Sequence, residues 1–334
     1  MGKEFKNITS KLEGFIEQQK FYFIGTTSTI KGEVHIAPKG YDTLKIIDSN
    51  NIICLDYFES EDDTAQNLVE NNKVSIMWCS VDKKPCNLWA YGSGEVVYSG
   101  TSEFDSLLKQ HFTNHSPSMI RHIIKIKIYK SMTACGFSIP FMKYEGKRDL
   151  LADSTCESIS IFEKLTDEFE EFIENQKMFF VGTTPNNNSE VHIAPKGYKD
   201  SFQIVNENEV LYLDYYGSEN NTAQHLTQNG RISLMWCDFG ENPQIFRAQG
   251  HGEVISKDTI EFDTLLGQYF KSYHPKMVRQ IFKIKVHRIT NTKSLGIPLM
   301  KDEGERKTLH DVFDKMLVKN PAGKLFSKFF NSDI

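Results

Sequence analysis

The sequence predicts a mainly β (α+β) protein built as two tandem copies of one small barrel-like domain, and three observations lead there. The nonapeptide Glu33–Tyr41 recurs unchanged at Glu190–Tyr198, 157 positions on, within matches at a nearly constant offset that span about 130 residues in all. Each copy is a series of short runs rich in β-branched and aromatic residues, separated by Gly, Asn and Asp clusters. Helical patterns are few and never alternate with strands as βαβ units, which favours a barrel over a doubly wound sheet.

Taken in order, each copy opens with a short amphipathic helix, carried by Leu12, Phe15 and Ile16 in the first and by Phe169, Phe172 and Ile173 in the second. Ser10-x-x-Glu13 and Asp167-x-x-Glu170 read as capping-box starts. Strands are expected in the first copy at 21–27, 34–39, 44–48, 52–58, 74–79, 88–98 and 123–129, with helices near 64–70 and 102–112. Trp78 and Trp236 stand in apolar strands and read as core residues. Gly92-Ser93-Gly94 and Gly250-His251-Gly252 lack a third glycine and sit inside strands, so they predict a bulge or a close backbone approach. The domain boundaries expected are 1–150 for the first repeat, 151–160 for a polar linker, 161–312 for the second repeat and 313–334 for a C-terminal tail.

A formal net charge of −5 argues against a general nucleic-acid binder, which needs a basic face to displace phosphate counterions. No apolar run reaches membrane-spanning length and no basic leader precedes an apolar stretch, so a cytoplasmic protein without membrane contact is expected. Of the six cysteines only Cys79 and Cys237 recur at equivalent positions, and free thiols are expected. There is no Walker loop, no nucleophile elbow and no His/Cys/Asp cluster with metal spacing. His35 and His192 alternate with apolar neighbours, the pattern of a hydrogen-bonded barrel histidine more than of a catalytic or metal-binding one.

Taken together, several motifs resemble the pyridoxamine 5'-phosphate oxidase-like, FMN-binding split-barrel family. They are Phe23-Ile24-Gly25-Thr26-Thr27 with Phe180-Val181-Gly182-Thr183-Thr184, the two His-x-x-Pro-Lys-Gly segments, Leu55-Asp56-Tyr57 with Leu213-Asp214-Tyr215, Thr64-Ala65-Gln66 with Thr222-Ala223-Gln224, and Met77-Trp78-Cys79 with Met235-Trp236-Cys237. The resemblance covers roughly residues 20–148 and 177–306. It implies split barrels paired around flavin clefts, here as an intramolecular pseudo-dimer, and a flavin (FMN)-binding oxidoreductase acting with a small-molecule substrate or electron donor. The alternative is a non-catalytic, haem- or planar-ligand-binding split barrel. The implied cofactor-binding positions are Lys196, Lys39, His192, Gly197, Ser218, Thr222, Gln224, Arg247, Ser60 and Thr64. Lys39 and Lys196 are the candidate cations, and the loop from Ser218 into a helix starting near Thr222 is a candidate anion seat.

Where the family follows its loop serine with a basic pair, this chain has Glu61-Asp62-Asp63 and Glu219-Asn220-Asn221, so vitamin B6 synthesis itself is not expected. The two clefts should differ. The loop of repeat two, followed by Arg231 and Arg247, is less acidic than that of repeat one, whereas the tail Ala134–Pro140 of repeat one keeps the family's Cys-Gly form. One composite site is expected, from the loop of repeat two and the tail of repeat one.

Overall fold

The computed structural model describes residues 2–58, 63–148, 159–216, 220–273, 277–293, 296–306 and 311. Residues 151–158 of the expected linker and the whole of the expected tail 313–334 lie outside them, and Ser160 already opens a strand.

Repeat one runs β1 (Lys3–Phe5), α1 (Ser10–Gln18), β2 (Phe21–Thr27), β3 (Val34–Gly40), β4 (Leu44–Asp48), β5 (Asn51–Tyr57), α2 (Asp63–Asn71), β6 (Lys73–Cys79), β7 (Asn87–Tyr98), α3 (Ser102–His111), β8 (Ile120–Ala134) and β9 (Phe141–Gly146). Repeat two follows the same plan with β10 (Ser160–Phe162), α4 (Asp167–Asn175), β11 (Met178–Thr183), β12 (His192–Gly197), β13 (Phe202–Asn206), β14 (Glu209–Tyr215), α5 (Asn221–Asn229), β15 (Arg231–Cys237), β16 (Gln244–Ser256), α6 (Ile260–Tyr269), β17 (Val278–Lys293) and β18 (Leu299–Gly304). The sheet orders are β3-β2-β6-β7-β8-β5-β4 and β12-β11-β15-β16-β17-β14-β13, with β1 on β8 and β10 on β17. Every pairing between described strands is antiparallel. The chain is a pair of tandem split barrels packed as an intramolecular pseudo-dimer.

Alternation along the strands explains why β2 reads as a continuous apolar run. Tyr22 and Ile24 point into the core of barrel one with Trp78, while Phe21 and Phe23 point the other way into a core shared by both repeats. In repeat two, Phe179 and Val181 fill the barrel with Trp236, and Met178 and Phe180 join the shared core. Phe23 and Phe180 meet there with ring centroids 3.9 Å apart. The glycines of the two Gly-Thr-Thr motifs are required by this contact. A Cβ on Gly25 would lie 2.8 Å from Val191 Cγ1, and one on Gly182 2.9 Å from Val34 Cγ1.

The helix starts correct the sequence reading by one residue. Thr9 and Thr166 are the caps, their hydroxyls accepting from the amides of Leu12 and Phe169, and Ser10 and Asp167 are the first helical residues. The expected bulge is present: the β7–β8 register shifts between Tyr91 and Gly92, and the β16–β17 register between Gln249 and Gly250.

After each barrel the chain crosses to the other repeat. β9 and β18 pair only with each other, in a two-stranded sheet across the pseudo-dyad. Arg148 Nε donates to Ile297 O and its Nη2 to Asp238 O; Arg306 Nε donates to Ile139 O and its Nη2 to the carbonyls of Ser80 and Asp82. The tyrosine ending each nonapeptide anchors the arriving tail, Tyr41 Oη donating to Ile297 O and Tyr198 Oη to Phe137 O.

Candidate functional site

The crossing of tail one over β12 builds a cleft. His192, Ala194 and Lys196 alternate along β12 and present one face to it, and Asn87 and Trp89 do the same from β7. The roof is the segment Ala134–Ser138, which the fold seats directly on Gly197. A Cβ at Gly197 would lie 1.7 Å from Ser138 O, so this position excludes any side chain. Tyr215, Tyr216 and Thr222, in the first turn of α5, line the far end. The atom-free space in and over the cleft is about 790 Å3, part of it open solvent.

The far end carries a linked set of charges. Lys196 Nζ lies 3.2 Å from Asp214 Oδ1, and Arg279 Nη2 lies 2.5 Å from Asp214 Oδ2. Gln280 Nε2 donates both to Asp214 and to Asn220 Oδ1 at the start of α5. Burial by itself would raise the Asp214 carboxyl, but Lys196 and Arg279 outweigh it and hold it below the ordinary carboxylate value. Among the described residues, Lys196 and Arg279 flank Asp214 here, and the N-terminus of α5 adds its partial positive charge.

The near end is neutral. Burial, then His225 and Lys196, push His192 down to about 3, and burial pushes His225 down to about 4. Trp89 stacks on His192 with centroids 5.6 Å apart and donates its indole N–H to Ile193 O at 2.7 Å. Two buried polar atoms in this wall, Asn87 Oδ1 and His192 Nδ1, make no hydrogen bond among the described residues. Such atoms are costly unless something else partners them.

The mirror-related cleft is filled differently. Arg247 stands where Trp89 does in the other, its Nε donating to Ile36 O and its Nη1 to Thr292 Oγ1, and Ile245 replaces Asn87. Lys39 Nζ lies 2.5 Å from Asp56 Oδ1, both side chains buried, and His35 Nδ1 is 3.6 Å from Asp63 Oδ2.

The candidate residues therefore separate. Lys196, His192, Gly197 and Thr222 come together around one cleft. Lys39 does not join them: it is 3% exposed and committed to Asp56. Thr64 is buried at the start of α2, on the Lys39 side. Two assignments need correcting. Gln224 is exposed on α5, and it is the next residue, His225, that turns inward to Thr183. Arg247 and Arg231, which follow the repeat-two loop in sequence, bond to backbone elsewhere. Arg247 reaches repeat one, and Arg231 holds the carbonyls of Gly32 and Pro185. Ser60 and Ser218 lie outside the described residues. The sequence reading missed Asn87 and Tyr215 as cleft residues, and Arg279 and Gln280 as partners of the Asp214 that pairs with Lys196. Asn87 and Gln280 differ from their counterparts Ile245 and His122, whereas Tyr215 and Arg279 match Tyr57 and Arg121, so comparing the copies could have marked only the first two.

Comparison with known proteins gives a consistent family. The sequence profile described as Pyridoxamine 5'-phosphate oxidase matches residues 8–131 and 165–293. A curated relative, the pyridoxamine 5'-phosphate oxidase family protein ustO of Aspergillus flavus, is 29% identical over 143 residues, 42% of this chain. The chain spans 56% of that relative's length. Similar solved structures include HupZ of Group A Streptococcus (21% identity, 40% of this chain and 98% of that one, TM-score 0.30). Others are an FMN-binding protein of Syntrophomonas wolfei (22%, 34% and 75%, TM-score 0.28) and the haem storage protein HutZ of Vibrio cholerae (13%, 39% and 96%, TM-score 0.29). Among the described residues no helix is long and apolar enough to cross a membrane, and no group of three or more His, Cys, Asp or Glu is placed to hold a metal ion.

Proposed function

Because the chain belongs to the pyridoxamine 5'-phosphate oxidase family across both repeats, we propose that it is an FMN-dependent oxidoreductase with one flavin site per chain, the Lys196 cleft. The observation that carries this reading is the pair of unpartnered buried atoms, Asn87 Oδ1 and His192 Nδ1, in a wall that also holds Trp89 and Phe137. A flavin ring offers a flat apolar face for such a wall and polar edges for those two atoms. Lys196, Arg279 and the start of α5 would hold its phosphate. When bound, the flavin supplies hydride or electron transfer to a small-molecule substrate or electron donor. The protein's own part is to position it, exclude water with the Ala134–Ser138 roof, and keep the neutral His192 at its edge. The reading includes a cytoplasmic setting, with which the free thiols of the described cysteines agree.

The test is the absorbance spectrum of the purified chain followed by titration with FMN. Flavin bands and one site per chain are expected, with binding weakened at least tenfold by Lys196→Ala and by Trp89→Ala. The control at the other cleft neutralises both partners, Lys39→Met with Asp56→Asn, and should leave affinity within about twofold. Two equal sites would defeat the one-cleft assignment. A Soret band instead of flavin bands would replace FMN with haem, and binding of neither would leave a non-catalytic barrel.

A further inference from the structure

Two cysteines that the proposed function does not use flank the end of the β7–β8 ladder, and one of them, Cys135, lines the Lys196 cleft. Cys86 immediately precedes β7 and Cys135 immediately follows β8, and the last rung of that antiparallel ladder pairs Asn87 with Ala134. One rung further, Cys86 stands opposite Cys135. Repeat two makes the register explicit, since the counterparts Gln244 and Lys293 are direct cross-strand partners there. Two further contacts place the segments side by side. Asn87 Nδ2 donates to Cys135 O at 3.4 Å, and a Cβ on Gly136 would lie 3.2 Å from Cys86 N. Directly opposed residues of antiparallel strands have Cα atoms about 4.5–5.5 Å apart, within the span a disulfide bridges.

Neither cysteine recurs in repeat two, yet both occur in repeat one at facing positions. They are half-buried, whereas Cys54, Cys79 and Cys237 are fully buried. Cys135 lines the cleft itself.

We infer that Cys86 and Cys135 are a reversible dithiol–disulfide pair, a redox modification site whose oxidant is a low-molecular-weight disulfide. Cys135 attacks first, because it lines the cleft that a small disulfide enters and Cys86 does not; burial raises both thiols, Cys86 to about 11. The Cys135 thiolate attacks one sulfur of the small disulfide, forming a mixed disulfide and releasing one small thiolate. The Cys86 thiolate then attacks the Cys135 sulfur, forming the Cys86–Cys135 bond and releasing the second. The two protons lost by the protein thiols end on the two released thiols. The protein is oxidised by two electrons and the small disulfide is reduced by two. The bond would tie the start of β7 to the roof of the cleft.

The test equilibrates the full chain with mixtures of reduced and oxidised glutathione, quenches in acid, alkylates the denatured protein and maps its peptides. A Cys86–Cys135 cross-linked peptide is expected to rise with the oxidised fraction and to vanish on return to reduced glutathione, while Cys54, Cys79 and Cys237 stay alkylated throughout. Cys86→Ser and Cys135→Ser, each verified as folded by circular dichroism, should lose the cross-link and carry glutathione on the remaining cysteine. The inference is overturned if both thiols of the folded wild type stay alkylated across the range. Separate glutathione adducts without a cross-link, or a link from either cysteine to Cys156, would overturn it equally.

Discussion

Lys39 and Lys196 end the same run of residues in two identical nonapeptides, and the structure gives them different surroundings. Lys39 is 3% exposed with the Asp56 carboxylate at 2.5 Å; Lys196 shares Asp214 with Arg279 and lines the cleft. Removing one member of a buried pair strands the other charge, at about 3–5 kcal/mol. Lys39→Ala alone would therefore report on folding, which is why the control above removes Asp56 as well. Nothing in the nonapeptide distinguishes its two copies. The distinguishing residues, Trp89 and Arg247, come from the opposite repeat, and their placement depends on a contact far away in sequence.

The histidine of the same motif supports a pH prediction. His192 is held down to about 3 in the folded chain and returns to about 6.5 when unfolded. Between those values the unfolded state binds the extra proton, so this contribution to stability is complete above about pH 6.5. It is lost as pH falls, at up to about 1.4 kcal/mol per pH unit. His225, held at about 4, acts in the same direction, as does His35. Urea midpoints measured from pH 7 to pH 4 should fall, and His192→Gln should flatten the decline. An unchanged slope in that variant would mean that His192 is not buried neutral.

At the scale of elements, the two tails matter more than their length suggests. The strand runs of each barrel were legible from β-branched and aromatic density, and the bulges from glycines inside strands. β9 and β18 were not, because Phe141–Gly146 and Leu299–Gly304 have no partner in their own repeat and pair only with each other. The helix caps were displaced for a local reason: Thr9-Ser10 and Thr166-Asp167 each place two capping residues side by side. Arg306 is 1% exposed and satisfies carbonyls of three residues of repeat one. Arg306→Ala should leave those carbonyls unpaired and cost about 3 kcal/mol, lowering the thermal midpoint by several degrees, while Arg306→Lys should recover only part of it. A midpoint within one degree of wild type would show that the tail is held by other contacts.

For the whole molecule, the shared core is the feature that joins two barrels into one body. Phe21, Phe23, Ile36 and Met77 of repeat one are buried in one cluster with Met178, Phe180, Ile193 and Met235 of repeat two. An apolar face of that kind does not remain bare in water. Residues 2–148 expressed alone should therefore elute as a self-associated dimer on size exclusion, and a stable monomer would contradict the shared-core description. That two barrels exist was plain from the repeated sequence. Which faces they share was not, since β2 is apolar on both sides and periodicity cannot say which side meets a neighbour.

The replacement of Trp89 by Arg247 at the mirror position has a consequence for how such a protein can change. In a symmetric pair of separate subunits every substitution is expressed twice, so a residue that improves one site is imposed on the other, whether or not it suits it there. Joining the copies in one polypeptide removes that obligation. A tryptophan can be retained where a ring is to be held while an arginine is fixed where a backbone carbonyl is to be satisfied, and neither choice is inherited by the other half. The tandem chain is thus free to let one half specialise in chemistry and the other in support.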